Sequence, residues 1–395
     1  MKKILFVATV AKKHICQFHI PYLKWFHDQG YEVHVCAKND FEYKDIFDVP
    51  YCDRFFNVHF SRSPFSGQNL TAYKQLKEII SSNDYDLIHC HTPVAAAMTR
   101  IAARKARKKK HTVVLYTTHG FHFFKGAPSS SKIYYIAEKK LIKYTDGIIT
   151  INREDHEMAK MFCEGKKCRA YYIHGMGVDT KTIAAAKTDK RVLKKKFGIP
   201  EDAFVLLSVS EINQNKNLTV TLKAFSKIKH RDIYYLICGT GQMMDECVAL
   251  AKELGISDRV IFAGYRYDIY HIVHIADVFL FPSLREGLGV AAIEAMSAGV
   301  PIVGSDIRGV REYAVNMKNS LLLEPTDADG FAEAIEKLYG DEELRKTLGR
   351  NALLSVPPFD INNSVKSITD IYREYLEIPE RQTQESAEKE SVAAN

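Results

Sequence analysis

The sequence predicts an α/β protein with two doubly wound, Rossmann-like domains that face each other across a cleft. Three observations favour this class. The chain has 395 residues, which suits two domains better than one. Its 46% apolar and 26% charged residues are typical of a globular protein. Short apolar strands alternate with longer amphipathic stretches along the whole chain, which indicates βαβ units with parallel strands.

The first half of the chain contains six predicted strands, at residues 3–9, 31–37, 86–90, 112–118, 147–151 and 170–174. The apolar spacing between them predicts helices near residues 18–29, 68–82, 93–107, 130–143 and 153–163. The opening segment resembles a signal peptide, but its apolar run covers only residues 4–11 and is followed at once by Lys12 and Lys13. A buried first strand is therefore the preferred interpretation.

The second half repeats this pattern. Strands are predicted at residues 205–210, 234–239, 260–264, 278–282, 301–305 and 321–324, and helices near 216–228, 242–254, 266–275, 289–298, 309–315 and 328–339. Glycines end a strand near 175–187, where a basic, irregular segment begins, so we place the domains at 1–180 and 181–359. A last helix at 360–378 is expected to pack back on the first domain, and the polar tail 379–395 is predicted to be disordered.

Eight cysteines are scattered along the chain, the closest pair five residues apart, and no C-x-x-C motif occurs. This usage is typical of an intracellular protein rather than a disulfide framework or a zinc ribbon, so a cytoplasmic location is expected. No stretch predicts a transmembrane helix. The strongest candidate, 287–305, contains Glu294 and Pro301 and is better interpreted as a buried helix followed by a strand.

The charge is distributed unevenly. Residues 1–180 hold 28 Lys and Arg against 17 Asp and Glu, whereas the remainder is net acidic. The densest basic run, residues 100–110, holds seven cations in eleven residues without an acid. We expect this run to contact an anionic membrane surface, on the inner face of the cell membrane. A solvated helix end is the alternative, and nucleic-acid binding lacks any supporting aromatic pattern or motif.

Open parallel sheets bind ligands beyond the carboxyl ends of their strands. The segment 282–309 contains such a strand end, followed by glycines and a helix rich in small residues. Free amides at that helix start suit a phosphate, and the carboxylates of Glu286 and Glu294 suit the hydroxyl pairs of a sugar or ribose. Two solvated carboxylates around a tight turn would explain the same pattern.

This segment also resembles the retaining glycosyltransferases of family 4, which have the GT-B fold, and in particular their capsule and exopolysaccharide branch. The spacing E-x7-E in a Gly/Ala-rich context carries the resemblance. Seven further motifs fall in the expected order: DLIHCHTP (86–93), TTHGFHF (117–123), GMGVD (175–179), SEINQNKN (210–217), CGTGQ (238–242), GYRYDI (264–269) and ADVFLFPS (276–283).

The resemblance implies a role for each matching residue. Glu286 would contact the donor sugar, Lys216 would neutralise the diphosphate, and His119 would lie beside the reacting sugar, so these three form the catalytic set. The expected donor-binding residues are Glu294 at the ribose, Gly289 and Val290 at the diphosphate, Tyr265, Arg266 and Tyr267 at the base, and Leu288, Asn215, Gly239 and Gly241 in the adjoining loops.

One position departs from the family, which commonly has an arginine where this chain has Glu211. Because a carboxylate repels a diphosphate, Glu211 is expected to point elsewhere, with Asn213, Asn215 and Asn217 as substitute donors. The histidines 89, 91, 119 and 122 could form a metal site, but no carboxylate with ligand spacing accompanies them. We expect no metal and no cofactor.

Together these features predict a metal-independent retaining glycosyltransferase. The expected donor is a nucleoside-diphosphate sugar, either a UDP-hexose or a UDP-N-acetylhexosamine. The expected acceptor is a saccharide or a polyprenyl-diphosphate-linked saccharide in surface polysaccharide biosynthesis. Three alternatives stay open: a UDP-sugar epimerase of the same fold, a non-catalytic nucleotide-sugar-binding partner subunit, and a histidine-metal hydrolase.

Overall fold

The computed structural model describes residues 2–42, 47–124 and 129–378, and it contains two parallel β-sheets. The first sheet is built from β1 (Lys3–Val10), β2 (Glu32–Lys38), β3 (Arg54–Asn57), β4 (Leu87–His91), β5 (Val113–Thr118), β6 (Gly147–Thr150) and β7 (Arg169–Tyr172). The second is built from β8 (Phe204–Val209), β9 (Ile233–Cys238), β10 (Val260–Phe262), β11 (Val278–Phe281), β12 (Ile302–Ser305) and β13 (Ser320–Leu323). The predicted disordered tail, 379–395, lies outside the described residues.

The strand orders are β3-β2-β1-β4-β5-β6-β7 and β10-β9-β8-β11-β12-β13. In each sheet the order reverses beside the first strand, because β1 pairs with both β2 and β4 and β8 pairs with both β9 and β11. Such a reversal leaves a crevice at the carboxyl ends of the strands. The predicted α/β class with two Rossmann-like domains is confirmed.

Helices cover both faces of the sheets. They are α1 (Ile20–Asp28), α2 (Gln68–Ser82), α3 (Pro93–Ala102), α4 (Arg104–Lys110), α5 (Lys132–Leu141), α6 (Arg153–Cys163), α7 (Thr180–Ala185), α8 (Lys190–Lys196), α9 (Leu218–Lys227), α10 (Met244–Glu253), α11 (Ile269–Ile272), α12 (Val290–Ser297), α13 (Ala328–Gly340), α14 (Glu342–Ser355) and α15 (Ile361–Leu376). A π-helix occupies Ala11–Cys16. None of the described helices has both the length and the apolar character needed to cross a bilayer.

Several predicted elements need correction. The segment after residue 180 is not irregular, because α7 and α8 lie there, each started by an aspartate cap: the Asp179 carboxylate accepts from the Thr182 amide and the Asp189 carboxylate from the Val192 amide, each at 3.1 Å. The helix predicted at 309–315 is a single 3-10 turn, Val310–Glu312. Strand β3 was not predicted, because an edge strand with both faces partly exposed lacks a clear apolar alternation.

The last helix, α15, packs on the first sheet's side of the molecule. The Tyr372 ring is buried against Phe26, with ring centroids 4.6 Å apart, and its hydroxyl bonds His89 Nδ1 at 2.7 Å. The chain passes from the first domain to the second near Val178 and returns near Asp360. These two crossings lie side by side, because Val178 pairs with Asp360 in a parallel bridge. The domain limits at 180 and 359 stay a prediction, and the two crossings lie close to them.

The basic run 100–110 is less available than its sequence suggests. The Arg100 side chain is fully buried and donates to both carboxylate oxygens of Glu138, at 2.7 and 3.1 Å. Arg107 pairs with Asp146 and Lys110 with Asp84. Arg100 therefore holds α3 to α5 and cannot meet a membrane. Arg104, Lys105, Lys108 and Lys109 are exposed, and none of them pairs with an acid among the described residues.

Replacing Arg100 by methionine should destabilise the protein by about 3–5 kcal/mol, because Glu138 would keep a buried charge without its partner. Chemical denaturation measures the change in the free energy of unfolding. The double variant Arg100→Met/Glu138→Leu should recover part of the loss, and Lys105→Met, on the exposed face of α4, should change it by no more than about 0.5 kcal/mol. A single variant as stable as the wild type would contradict the importance of the pair.

Candidate active site

Backbone from both domains meets at the carboxyl ends of the sheets. A Cβ atom added to Gly287 would lie 1.9 Å from the carbonyl oxygen of His119, and one added to Gly120 would lie 3.0 Å from the Cα of Gly287. The Asn152 side-chain amide donates to the Gly287 carbonyl at 3.1 Å. Both glycines are therefore required by the close approach, and they bring the loop after β5 against the loop after β11.

Lys216 and Glu286 form an ion pair on the second domain's wall of this cleft. The Lys216 ammonium nitrogen lies 2.5 Å from Glu286 Oε1, with both side chains mostly buried. Lys216 ends the 3-10 turn Gln214–Lys216, which begins where the Asn213 side chain accepts from the Lys216 amide at 3.1 Å. A carboxylate that already holds the ammonium fixes the position of the positive charge.

The neighbouring asparagines hold loops in place. The Asn215 side chain donates to the Arg285 carbonyl at 2.9 Å, and Asn217 donates to the carbonyls of Pro282 and Pro325 at 3.1 and 2.7 Å. These bonds tie the Lys216 turn to the loop that carries Glu286. Direct contact of Asn215 with a donor stays a prediction, while its observed role is to position Glu286. Glu211 is exposed to solvent.

Helix α12 begins directly beside the ion pair. Gly289 precedes it with φ +91°, and a Cβ there would lie 2.8 Å from the Phe281 ring and the Tyr313 hydroxyl. Within the described chain, no protein group accepts a hydrogen bond from the amides of Gly289 and Val290. These free amides and the partial positive charge of the helix start favour an anion.

Two predicted donor-binding residues of this region behave differently from each other. The Leu288 side chain is buried, and the open face of Gly175 accommodates its Cδ2 atom, since a Cβ on Gly175 would lie 2.4 Å away. Leu288 thus packs the domains together, and only its backbone is left to face a ligand. Glu294 lies on α12, and no other described residue forms a hydrogen bond or ion pair with its carboxyl.

Burial dominates the electrostatics of Glu294. It raises the pKa of this carboxyl from 4.5 to about 7. The pKa of the adjacent Tyr270 is also raised, by burial first and by the charge of Glu294 second. An unpartnered carboxyl in a crevice can accept two hydroxyl donors at once, which would replace the water that it has lost.

The base-binding candidates lie at the rim. The rings of Tyr265 and Tyr267 are exposed and meet edge to face, with centroids 5.0 Å apart. Arg266 between them forms a two-point ion pair with Asp268, with Nε 2.8 Å from Oδ1. Gly239 and Gly241 allow their loop to touch the backbone of residues 210 and 212, since added Cβ atoms would lie 1.8 and 2.2 Å from those carbonyl oxygens.

The histidines group differently from the prediction. His89 bonds Tyr372 and Thr117 through its two ring nitrogens, and the His122 ring lies against Tyr134, with centroids 5.0 Å apart. His119 follows β5 and lies next to His14, at 4.7 Å between ring centroids, and burial lowers its pKa to about 4. The His119 ring is therefore neutral at neutral pH. The backbone carbonyl of His119 faces Gly287.

Sequence reasoning missed the ion pair that joins the domains. Arg308 Nη1 lies 2.7 Å from Asp155 Oδ1, and Arg308 Nη2 donates to the Phe121 carbonyl at 2.6 Å. Asp155 also accepts from the Phe121 amide at 3.0 Å and from the Asn152 side chain at 2.8 Å. Nearby, Glu312 accepts from the Arg153 amide at 2.7 Å. Single arginines and aspartates carry no signal of a distant partner, so the sequence offered no way to pair them.

Two family descriptions cover most of the chain. Residues 3–152 match the family Glycosyl transferase 4-like, and residues 189–354 match Glycosyl transferases group 1. The two matches divide between the two sheets, because the first ends after β6 and the second begins before β8.

Among curated relatives, the chain is 40% identical to the putative glycosyltransferase EpsD of Bacillus subtilis, over 95% of this chain and 98% of the relative. It is 28% identical to an Escherichia coli protein named UDP-Gal:alpha-D-GlcNAc-diphosphoundecaprenol alpha-1,3-galactosyltransferase, over 77% and 81% of the two chains. Among solved structures, Anabaena Alr3699/HepE in complex with UDP superposes with a TM-score of 0.77 at 19% identity, over 95% of this chain and all of the other.

Replacing Glu294 by glutamine should stabilise the protein increasingly as pH rises from 5 to 8. The folded state raises this pKa from 4.5 to about 7, so it penalises the charged form. That penalty is absent below the unfolded pKa, grows as pH rises from the unfolded to the folded pKa, and levels off above it. Thermal melting of wild type and variant across this range measures the difference.

The matched control is Glu253→Gln on the exposed surface of α10, which should give a smaller and flatter difference. A Glu294→Gln variant whose melting temperature follows the wild type at every pH would contradict the buried environment of this carboxyl.

Proposed function

Since the chain belongs to the group 1 and 4-like glycosyl transferases, we propose that it transfers a sugar from a UDP-sugar to a lipid-linked saccharide. Its family and its GT-B fold make it a glycosyltransferase. The transfer would retain the configuration at the anomeric carbon. The observation that carries this proposal is the Lys216–Glu286 ion pair beside the free amides of α12. It supplies positive charge and hydrogen-bond donors at one point of the cleft.

Different residues would bind the different parts of the donor. The diphosphate would lie between the Lys216 ammonium and the amides of Gly289 and Val290. The carboxyl of Glu294 would accept the two ribose hydroxyls, and that of Glu286 would accept hydroxyls of the donor sugar. Tyr265 and Tyr267 offer exposed rings for the base at the rim.

Uridine is the base that the relatives favour. The Escherichia coli relative is named for a UDP-galactose donor, and the Anabaena neighbour was solved with UDP. A hexose or an N-acetylhexosamine fits a crevice lined by two carboxylates. The name of the Escherichia coli relative also supports an acceptor on a diphosphoundecaprenol lipid. We propose that the transfer serves surface polysaccharide biosynthesis, as the resemblance to the capsule and exopolysaccharide branch of family 4 implies.

Chemically, the site must stabilise a departing diphosphate and a sugar with oxocarbenium character. Fixed charges and amides that face the developing negative charge do this without reorganising during the reaction. Lys216 is held in place before substrate arrives, so its charge is already oriented. The resemblance to family 4 implies that the leaving phosphate takes the acceptor proton on the same face, which gives retention. We propose no metal ion at the diphosphate.

The membrane surface is proposed in a revised form. Helix α5 exposes Ile133 and Ile136, each about half accessible, one helical turn apart. Lys132, Lys139 and Lys140 flank them, and the exposed cations of α4 lie on the same domain. Exposed apolar side chains within a basic surface suit an anionic bilayer, where a lipid-linked acceptor is held.

A donor screen with a mixture of lipid-linked acceptors, read by release of free UDP, tests the function. Acceptor-dependent release supports the proposal. Interconversion of the UDP-sugar without acceptor indicates an epimerase, and UDP-sugar binding without turnover indicates a partner subunit. Either outcome would contradict the proposed transfer.

Lys216→Met should weaken UDP binding about 10- to 150-fold, because losing one charge-assisted contact to a desolvated phosphate costs about 1.5–3 kcal/mol. Calorimetric titration with UDP measures the affinity, and turnover should fall as well. The matched control Lys223→Met, on the exposed side of α9, should bind UDP like the wild type. Unchanged affinity in Lys216→Met would exclude the proposed diphosphate site.

The triple variant Lys105→Gln/Lys108→Gln/Lys109→Gln should bind phosphatidylglycerol vesicles on the order of 100-fold more weakly, since each cation contributes about 1 kcal/mol. Wild-type binding should fall as salt rises and be absent on phosphatidylcholine. The control Lys190→Gln/Arg191→Gln/Lys195→Gln removes the same charge from the second domain and should leave binding intact. Equal sedimentation of the two triple variants would place the membrane surface elsewhere.

A further inference from the structure

Four histidines meet on the first domain's wall of the cleft, and we call them the histidine cluster: His14, His19, His91 and His119. They come from separate places in the chain, namely the π-helix Ala11–Cys16, the residue before α1, the end of β4 and the residue after β5. One ring nitrogen from each lies within 4.8 Å of those of the other three, and the cluster residues other than His119 are buried.

Most ring nitrogens of the histidine cluster are unsatisfied. Six of them are buried without any hydrogen-bond partner among the described residues: His14 Nε2, both nitrogens of His19, both nitrogens of His91 and His119 Nε2. By contrast, the neighbouring His89 has partners at both nitrogens, as does the buried His34 elsewhere in the first sheet. An unpaired buried polar atom costs free energy, and one ion bound through a single nitrogen of each ring would provide a partner for four of the six.

We propose that the histidine cluster binds one divalent transition-metal ion, with zinc favoured. Imidazole nitrogens suit Zn²⁺, Cu²⁺ and Ni²⁺, while the absence of a carboxylate in the cluster disfavours Mg²⁺, Ca²⁺ and Mn²⁺. Zinc takes four nitrogen ligands at about 2.0–2.1 Å in a tetrahedron, so binding would draw the four nitrogens together from the observed spacing of up to 4.8 Å. This proposal replaces the sequence-based expectation of a chain without metal.

The local backbone holds the ligands where an ion would need them. A π-helix, an unusual turn that is frequent at functional sites, carries His14. The Asp40 carboxylate accepts from the amides of Lys12 and Lys13 at 2.6 and 3.1 Å and so fixes the start of this turn. At the end of β4, Thr92 has φ +63° and its hydroxyl bonds that of Thr9 at 2.7 Å.

Four protein ligands make a closed site, which is typical of structural rather than catalytic zinc. The ion would fasten the π-helix, which lies between β1 and α1, to the ends of β4 and β5. His119 would then act as a ligand through its ring, while its carbonyl stays against Gly287 in the cleft. The inference does not depend on the proposed sugar transfer, because metal uptake is measured without any substrate.

The test uses the full chain without a polyhistidine tag, purified from cells grown with zinc and dialysed against metal-free buffer. Mass spectrometry of the metal content should find about one zinc ion per chain. The double variant His19→Gln/His91→Gln should hold at least about tenfold less. The matched control His122→Gln changes a histidine outside the cluster, three residues from His119, and should hold as much as the wild type.

A second measurement tests the proposal on the wild-type protein, in case the double variant does not fold. Wild-type protein stripped with a strong chelator should melt at a lower temperature and recover when Zn²⁺ is added, because the ion binds only the folded site. Substitution with Co²⁺ should give a spectrum of nitrogen ligands without the thiolate band that the cysteines would produce. Folded wild-type protein that holds no zinc and takes up neither Zn²⁺, Cu²⁺ nor Co²⁺ would overturn the proposal, as would normal uptake by a folded double variant.

Discussion

The buried ion pair between Arg308 and Asp155 is the contact on which the geometry of the cleft depends. It joins a loop of the second domain to the start of α6 in the first, with both side chains almost fully buried. Asp155 also accepts from the Phe121 amide, so one carboxylate fixes the loop after β5 and the opposite domain together. Opening the cleft would separate the two charges and remove the Arg308 guanidinium from the Phe121 carbonyl.

This coupling explains why glycine occupies the closest points of the cleft. Where the loops cross, the backbones of Gly120 and Gly287 touch, and a Cβ added to Gly309 would lie 2.6 Å from the Glu286 carbonyl oxygen. A side chain at any of the three would therefore force the loops apart. Glu286 is thereby held from three directions: by the loops, by Asn215 through Arg285, and by Lys216. A site fixed largely by backbone contacts tolerates little displacement of either domain.

The sequence was sufficient to predict the repeated strand–helix units and the structure formed by residues that lie close along the chain. The twelve strands predicted from apolar runs are all present, because a strand buried on both faces needs a continuous apolar segment. The sequence also placed Glu286 in a loop and Glu294 on the following helix, since both are local structure. The grouping of His14 and His19 with His91 and His119 was not predictable, because it depends on a π-helix with no sequence signal and on strand order. For the same reason Arg100 appeared in the sequence as part of a surface patch, although Glu138, 38 residues later, neutralises it in the interior.

The return of α15 to the first sheet has a consequence for synthesis. Tyr372 fills the core beside Phe26 and bonds His89, which lies 283 residues earlier in the chain. A ribosome releases the amino-terminal sheet long before it has made this helix. While the second domain is translated, the nascent first domain lacks α15, so the apolar surface that α15 covers and one His89 nitrogen have no partner. The packing of the first domain is therefore complete only once α15 has been made, and a chain that stops before α15 lacks part of that domain's core.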